Sequence, residues 1–188
     1  MILPIYVYGW PLLRKKSEDI TPDYPELQQL ISDMFETMYH AEGCGLAAPQ
    51  IGRNIRLMVI DGKLMADEKK PDDMLRNFKK VLVNPVITKC YGEEWTDNEG
   101  CLSFPKLRES VKRPSKVKIE YLDENFQPHS EEYDGMAARI IQHEYDHIEG
   151  AFFIDRISPL RRKLITAKLY SIAKGKADCS YKIKVYKK

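Results

Sequence analysis

The chain has 188 residues, of which 43% are hydrophobic and 31% are charged. These proportions exclude a mainly disordered chain and predict one domain with a hydrophobic core. The formal net charge is only +2, which by itself indicates no class of partner.

The N-terminal run and the cysteines set the expected compartment. Residues 1–13 are apolar, but Pro4, Gly9 and Pro11 interrupt them, and the run lacks the basic start of a signal peptide. The four cysteines are widely spaced and form no CxxC pair, which is not typical of a disulfide framework. We therefore expect a cytoplasmic protein with no membrane partner.

The first half of the chain contains one helix and two strands by its hydrophobic pattern. Apolar residues recur at helical spacing over residues 25–41. The patterns of residues 56–61 and 81–87 predict strands. Because Pro85 cannot donate a hydrogen bond to a neighbouring strand, we expect the second strand to lie at a sheet edge or to contain a bulge near Pro85. The charged residues 61–80 between these strands predict a surface insertion.

The second half predicts a strand with one solvent-exposed face over residues 116–122 and an unusually apolar helix over residues 136–149. A helix so apolar is central to the fold, and Gly150 ends it. Ser158 and Pro159 start a last helix that reaches about residue 174, and residues 181–186 could add a final strand. The expected fold is a single α+β domain over residues 1–188, with antiparallel sheets packed around the central helix.

The central helix carries the sequence His143-Glu144-Tyr145-Asp146-His147. Residues four apart share a helix face, so both imidazoles can reach one metal ion, with Glu144 beside it. The alternative is a pair of histidines that are hydrogen-bonded in the core. Because so many polar residues would be costly in a buried helix without compensation, the pattern favours a metal site.

A third metal ligand has to come from upstream in the chain. No glutamate follows Glu149, which excludes the thermolysin pattern, and Phe153 stands where the metzincin pattern has a histidine. The candidates are thiolates and carboxylates, among which Cys101 stands out because the adjacent Gly100 allows a turn that could orient the thiolate. A Cys-His-His set leaves a fourth position for water, as in catalytic sites.

Small residues dominate the segment 43–50, which reads GCGLAAPQ. Its first six residues match a dinucleotide-binding fingerprint, but no strand precedes them and no helix pattern follows. We interpret the segment as extended backbone that a substrate can approach closely, with Gln50 offering an amide donor.

Together, residues 43–50, 99–103 (EGCLS) and 142–150 (QHEYDHIEG) resemble the motifs of the peptide deformylase family in sequence, order and spacing. The resemblance covers about residues 2–162. It implies a metal-dependent hydrolase that removes the N-formyl group from the initiator methionine of newly synthesised polypeptides and releases formate.

The resemblance also implies a metal site made of Cys101, His143 and His147. It implies Fe²⁺ in the cell, whereas imidazole and thiolate ligands also suit Zn²⁺, Ni²⁺ and Co²⁺. A bound divalent metal lowers the pKa of its water from about 15.7 to about 7, and Glu144 would act as the general acid/base for the attack of that water.

Further residues are implied by motif position. Gln50 and the backbone N–H of Leu102 would stabilise the oxyanion. Five residues would bind the substrate: Gly45, Cys44, Met136, Arg139 and Ile140.

Other functions remain open from the sequence. Cys101 could instead be the nucleophile of a cysteine hydrolase with His143 as its base. The chain could also be another metal-dependent amidase or peptidase, or a non-catalytic metal-binding relative.

The charge is unevenly divided along the chain. Residues 157–188 contain ten lysines and arginines against one acid, whereas residues 1–156 carry a net negative charge. We expect the enzyme to be a monomer that acts on chains as they emerge from the ribosome. The basic end then predicts docking to ribosomal RNA, mainly through Arg161, Arg162 and Lys163. A merely solvated basic surface is the alternative.

Overall fold

In the computed structural model, which describes residues 1–70 and 73–187, the chain forms seven strands and four α-helices. The strands are β1 (Ile5–Tyr6), β2 (Gly45–Ala47), β3 (Leu57–Asp61), β4 (Lys79–Cys101), β5 (Phe104–Leu122), β6 (Pro128–Asp134) and β7 (Ile183–Lys184). The helices are α1 (Leu27–His40), α2 (Gly135–Ile148), α3 (Pro159–Leu164) and α4 (Thr166–Ala173). The predicted first helix and the predicted central helix are thus confirmed within two residues at each end.

Strands β2 to β6 form one antiparallel sheet in sequential order. The pairing of β4 with β5 shifts register between Val83 and Val86, where Asn84 adopts a positive φ of 49° beside Pro85. The predicted bulge is therefore confirmed. The edge alternative is wrong, because β4 lies between β3 and β5.

Helix α2 packs against this sheet through its apolar face. Ala138 and Ile141 are fully buried and share a core cluster with Met58 of β3 and Ile119 of β5. Burying an isoleucine side chain such as that of Ile141 stabilises the fold by about 1.5–3 kcal/mol. The predicted α+β fold with antiparallel strands around a central helix is confirmed, and the rigid packing fixes the direction of the polar residues on α2.

The segment 61–80 is more buried than a surface insertion implies. It forms two short 3₁₀ turns, Gly62–Met65 and Met74–Asn77, and its last residues begin β4. Leu75 and Phe78 are only 6% and 4% exposed and belong to the core beside α2. Residues 71 and 72 of this segment lie outside the described part of the chain.

The predicted last helix is divided into α3 and α4 at Ile165. Ser158 Oγ accepts a hydrogen bond from the Arg161 N–H at 3.2 Å, which confirms the predicted N-cap. The predicted final strand is present as β7, which pairs in parallel with β1. Among the described residues, no helix combines the length and apolar character needed to cross a membrane.

Candidate metal centre

Three potential ligands converge at the junction of the β4–β5 hairpin and α2. Cys101 ends β4, and His143 and His147 lie one turn apart on α2. Their ligand atoms all lie within 4.8 Å of one another, and Cys101 Sγ is 3.2 Å from His147 Nε2. Bonds of about 2.0–2.3 Å in tetrahedral geometry place ligand atoms at this kind of separation. The set therefore fits one divalent metal ion.

Glu99 orients the first histidine. Its Oε2 lies 2.9 Å from His143 Nδ1. An imidazole that donates through Nδ1 presents Nε2 as the ligand atom, which is the usual arrangement around metals. Burial alone would raise the pKa of Glu99, but hydrogen bonds from Arg113 and His143 hold it well below its usual range.

A cluster of buried charged side chains fixes the position of Glu99. Arg113 is fully buried and donates to Glu99 Oε1 at 2.6 Å and to Asp146 Oδ2 at 2.9 Å. Arg139 donates to Glu99 Oε1 at 2.6 Å, and Arg156 donates to Asp146 Oδ2 at 2.8 Å. Asp146 thus ties α2 to the sheet, and the carboxylate nearest to the ligands is held rigidly.

His147 is buried with its Nε2 towards Cys101 and, within the described residues, no hydrogen-bond partner for Nδ1. Burial lowers the pKa of His147 to about 3. Its imidazole is therefore neutral at pH 7, which is the protonation state that a metal ligand requires.

Glu144 lies beside the three ligands and is only 4% exposed. Its Oε2 is buried and has no hydrogen-bond partner among residues 1–70 and 73–187. Burial raises the pKa of Glu144 to about 7. A Cβ on Gly45 would overlap the carboxylate of Glu144, so this glycine makes room for Glu144 in addition to its predicted place along the substrate.

Gln50 has a fixed orientation in the 3₁₀ turn Ala48–Ile51. Its Oε1 accepts from the Ala47 N–H at 2.9 Å, and its Nε2 donates to Ser103 Oγ at 3.2 Å. The same Nε2 lies 3.5 Å from Cys101 Sγ. The amide therefore presents its N–H groups to the ligand cluster, and Leu102 lies in the adjacent hairpin turn.

A cavity of about 320 Å³ opens in front of Glu144 and His143. Cys44, Gly45, Met136 and Ile140 line it, as does Arg139. The guanidinium of Arg139, however, is held by Glu99 and stacks over the Trp95 ring at 4.1 Å. Its polar end therefore supports the site instead of facing a substrate.

The cavity has further walls that no motif indicated. Leu64 and Met65 come from the 61–80 segment, Arg108 from β5 and Tyr181 from the C-terminal residues. These residues are far apart in the sequence, so no local pattern indicates that they lie around the same cavity.

Comparison with known proteins identifies the family. A sequence model described as polypeptide deformylase matches residues 2–163. The chain belongs to this family. The peptide deformylases of Flavobacterium johnsoniae and Christiangramia forsetii are 52% and 50% identical to it, each match covering 98% of this chain and 96% of the relative.

Solved deformylase structures have the same fold. A crystal structure of a peptide deformylase from Legionella pneumophila is 39% identical, with a TM-score of 0.79 over 94% of this chain and 98% of that chain. The Thermotoga maritima peptide deformylase is 38% identical, with a TM-score of 0.75 over 85% of this chain and 99% of that chain. The sequence resemblance is confirmed, and the chain is a metal-dependent hydrolase that deformylates nascent peptides.

Proposed function

We propose that Cys101, His143 and His147 hold one divalent metal and that Glu144 is the general acid/base in hydrolysis of N-formylmethionyl peptides. The observation that carries this proposal is the position of Glu144, buried and without a partner among the described residues, beside three ligand atoms within 4.8 Å of one another. A carboxylate in that position has no structural task, whereas a hydrolase needs a proton carrier there.

The proton transfers follow from this arrangement. A divalent metal supplies a water of lowered pKa and polarises the formyl oxygen when it is bound at such a site. Glu144 accepts the proton of the attacking water and passes it to the amine nitrogen as the C–N bond breaks. The products are formate and a peptide with a free N-terminus.

We assign the stabilisation of the oxyanion to Gln50 Nε2 and the backbone N–H of Leu102. The fixed amide of Gln50, which lies 3.5 Å from Cys101 Sγ, supports this assignment. Donors held in place before the reaction stabilise developing charge without a reorganisation cost.

Replacing Gln50 with leucine is expected to lower kcat by about 10²–10³-fold, because one oxyanion donor is lost. Metal content is expected to stay unchanged, since Gln50 is not a ligand. Formate release and metal analysis on the same sample measure both quantities. Gln28→Leu is the matched control, because Gln28 hydrogen-bonds the distant Glu124 carbonyl. A kcat near that of the parent in Gln50→Leu would remove the assignment.

We assign the methionine side chain to the cavity beside Glu144. The walls contributed by Cys44, Met136 and Ile140 are apolar, and Gly45 offers backbone for the peptide. Arg139 contributes its aliphatic stem only, because its guanidinium is engaged by Glu99.

We propose Fe²⁺ as the ion in the cell, as the resemblance to the deformylase motifs implies. Zn²⁺, Ni²⁺ and Co²⁺ are substitutes, because a thiolate and two imidazoles suit all four ions. Metal analysis after anaerobic purification tests the choice: a chain isolated with zinc and no iron would contradict it.

We further propose that residues 1–188 act as one catalytic domain and a cytoplasmic monomer that docks on the ribosome. Ion pairs to Glu109 and Asp155 engage Arg161 and Arg162, so these cations are less available than the sequence predicts. Lys163 and Lys168 are exposed and make no ion pair within the described residues, and they carry the proposal instead.

Charge reversal at Lys163 and Lys168 is expected to weaken ribosome co-sedimentation at low salt while peptide turnover is unchanged. The control reverses Lys69 and Lys89, which are exposed in the 61–80 segment and on β4, for the same change in net charge. Equal co-sedimentation of the two variants would contradict docking through the basic end. Sedimentation equilibrium of the parent tests the monomer.

A further inference from the structure

The C-terminal arm, residues 178–186, returns to the candidate metal centre from beyond the stretch that the family model matches. Strand β7 within this arm pairs with β1, and the Ile5 N–H donates to the Lys182 carbonyl at 2.9 Å. The indole N–H of Trp10 donates to the Lys184 carbonyl at 2.8 Å. These contacts fasten the arm to the body of the protein.

The arm reaches the β4–β5 turn through Tyr181. The Tyr181 hydroxyl donates to the Leu102 carbonyl at 2.7 Å, and the ring lines the same cavity as His143 and Glu144. Asp178 of the arm also forms an ion pair at 2.8 Å with Lys106, which lies on β5 just after the turn.

Hydrogen bonds from Gln50, Tyr8 and Tyr181 hold the turn at residues 101–103. Gln50 Nε2 donates to Ser103 Oγ at 3.2 Å, and the Tyr8 N–H donates to the Ser103 carbonyl at 2.9 Å. The Tyr181 hydroxyl donates to the Leu102 carbonyl. Two of these three contacts hold Ser103, and Tyr181 alone of the three holds Leu102 itself.

We propose that Tyr181 is a positioning residue for deformylation, which rests on the oxyanion role proposed above for the Leu102 N–H. A hydrogen bond to the Leu102 carbonyl restricts rotation about the Cα–C bond of that residue. The carbonyl belongs to the peptide plane that follows Leu102, and the Leu102 N–H is joined to that plane through a single Cα. Anchoring the carbonyl therefore limits how far the Leu102 N–H can be displaced. Groups that stabilise a transition state have to be held within about 0.5 Å of their productive position, so a loosened turn costs rate.

A positioning role and a merely structural role give different kinetics. Loss of positioning lowers kcat and the affinity for a tetrahedral analogue together, because both depend on the oxyanion donors. It leaves KM and the affinity for the deformylated product unchanged. A structural role lowers the thermal midpoint and the folded fraction, and the folded molecules keep their kcat.

The test compares Tyr181→Phe with Tyr186→Phe. Both variants lose only a hydroxyl, and Tyr186 packs its ring on Trp10 at 5.1 Å while its hydroxyl makes no hydrogen bond within the described residues. For Tyr181→Phe we expect kcat to fall about tenfold, as for other residues that orient the groups around a metal site. A peptide carrying a tetrahedral phosphorus group in place of the formyl group is expected to bind about tenfold more weakly. Tyr186→Phe is expected to match the parent.

Three results would overturn an assignment. A parental kcat in Tyr181→Phe, together with a large loss in Gln50→Leu, overturns the role of Tyr181 and leaves the proposed function intact. A lower kcat that disappears when activity is normalised to folded protein also overturns it. Parental kcat in both variants removes the oxyanion assignment itself.

Discussion

The Glu144→Ala variant is expected to retain its metal and to lose about 10²–10⁴-fold in kcat, the range of a general acid/base. The carboxylate lies beside the ligand atoms without being one of them, so its removal leaves Cys101, His143 and His147 in place. It makes no hydrogen bond through Oε2 within the described residues, so the fold loses little when the carboxylate is removed. Activity and structure are therefore expected to separate in this variant.

Formate release and metal content, measured on one preparation, test this separation. Glu36→Ala is the control, because Glu36 lies on α1 and forms an exposed ion pair with the Met1 amine. Its loss is expected to leave kcat unchanged and to cost less than about 1 kcal/mol of unfolding free energy. A Glu144→Ala enzyme with parental kcat at equal metal content would refute the proposed proton carrier.

Replacing Glu99 with glutamine is expected to weaken metal binding by about 10–100-fold, because His143 loses the partner that orients it. The same change leaves the guanidiniums of Arg113 and Arg139 buried without their shared carboxylate. Removing one partner of a buried ion pair costs about 3–5 kcal/mol. Glu99→Gln is therefore expected to damage both the site and the fold.

The pH dependence of stability follows from the same cluster. Burial opposes ionisation of Glu99 and Asp146, but their arginine partners hold both pKa values below the usual range. A carboxyl with a lowered pKa in the folded state stabilises the fold at pH above its unfolded pKa, and this stabilisation is lost as the pH falls. We expect unfolding free energy to drop below about pH 4.5, less steeply in Glu99→Gln.

Denaturation curves of the metal-free proteins between pH 3 and pH 7, with competitive metal titrations at pH 7, measure these effects. Glu94→Gln is the control on the same strand, since Glu94 forms an exposed pair with Lys112. It is expected to change unfolding free energy by less than about 1 kcal/mol. If Glu99→Gln behaved like Glu94→Gln in both measurements, Glu99 would not support His143.

The sequence predicted α2 and indicated Cys101, His143 and His147 as candidate ligands through local patterns. His143 and His147 share a face through helical periodicity alone, and the turn at Cys101 was marked by its glycine. The long β4–β5 hairpin was missed. Inward positions of β5 alternate with outward ones, but Glu109 and Arg113 occupy two of the inward positions. Buried charges there hide the apolar alternation that identifies a strand.

Tertiary contacts account for the rest of what could not be predicted. Glu99 and His143 are far apart in sequence, and nothing local shows that one orients the other. Arg161 forms an ion pair with Glu109, which lies on a distant element. The positive charge of Arg161 is therefore less available for an anionic partner than the composition of the C-terminal residues indicates. Tyr181 reaches Leu102 only because β7 pairs with β1.

Reversible metal removal tests the central claim, that Cys101, His143 and His147 hold the metal on which deformylation depends. Formate release from a formyl-methionyl peptide is measured after chelation and again after a divalent metal is returned. We expect activity to disappear and to recover in proportion to bound metal, reaching the parental value at one ion per chain, with no recovery in Cys101→Ala. Full activity in metal-free protein, as a cysteine nucleophile would give, would contradict the claim.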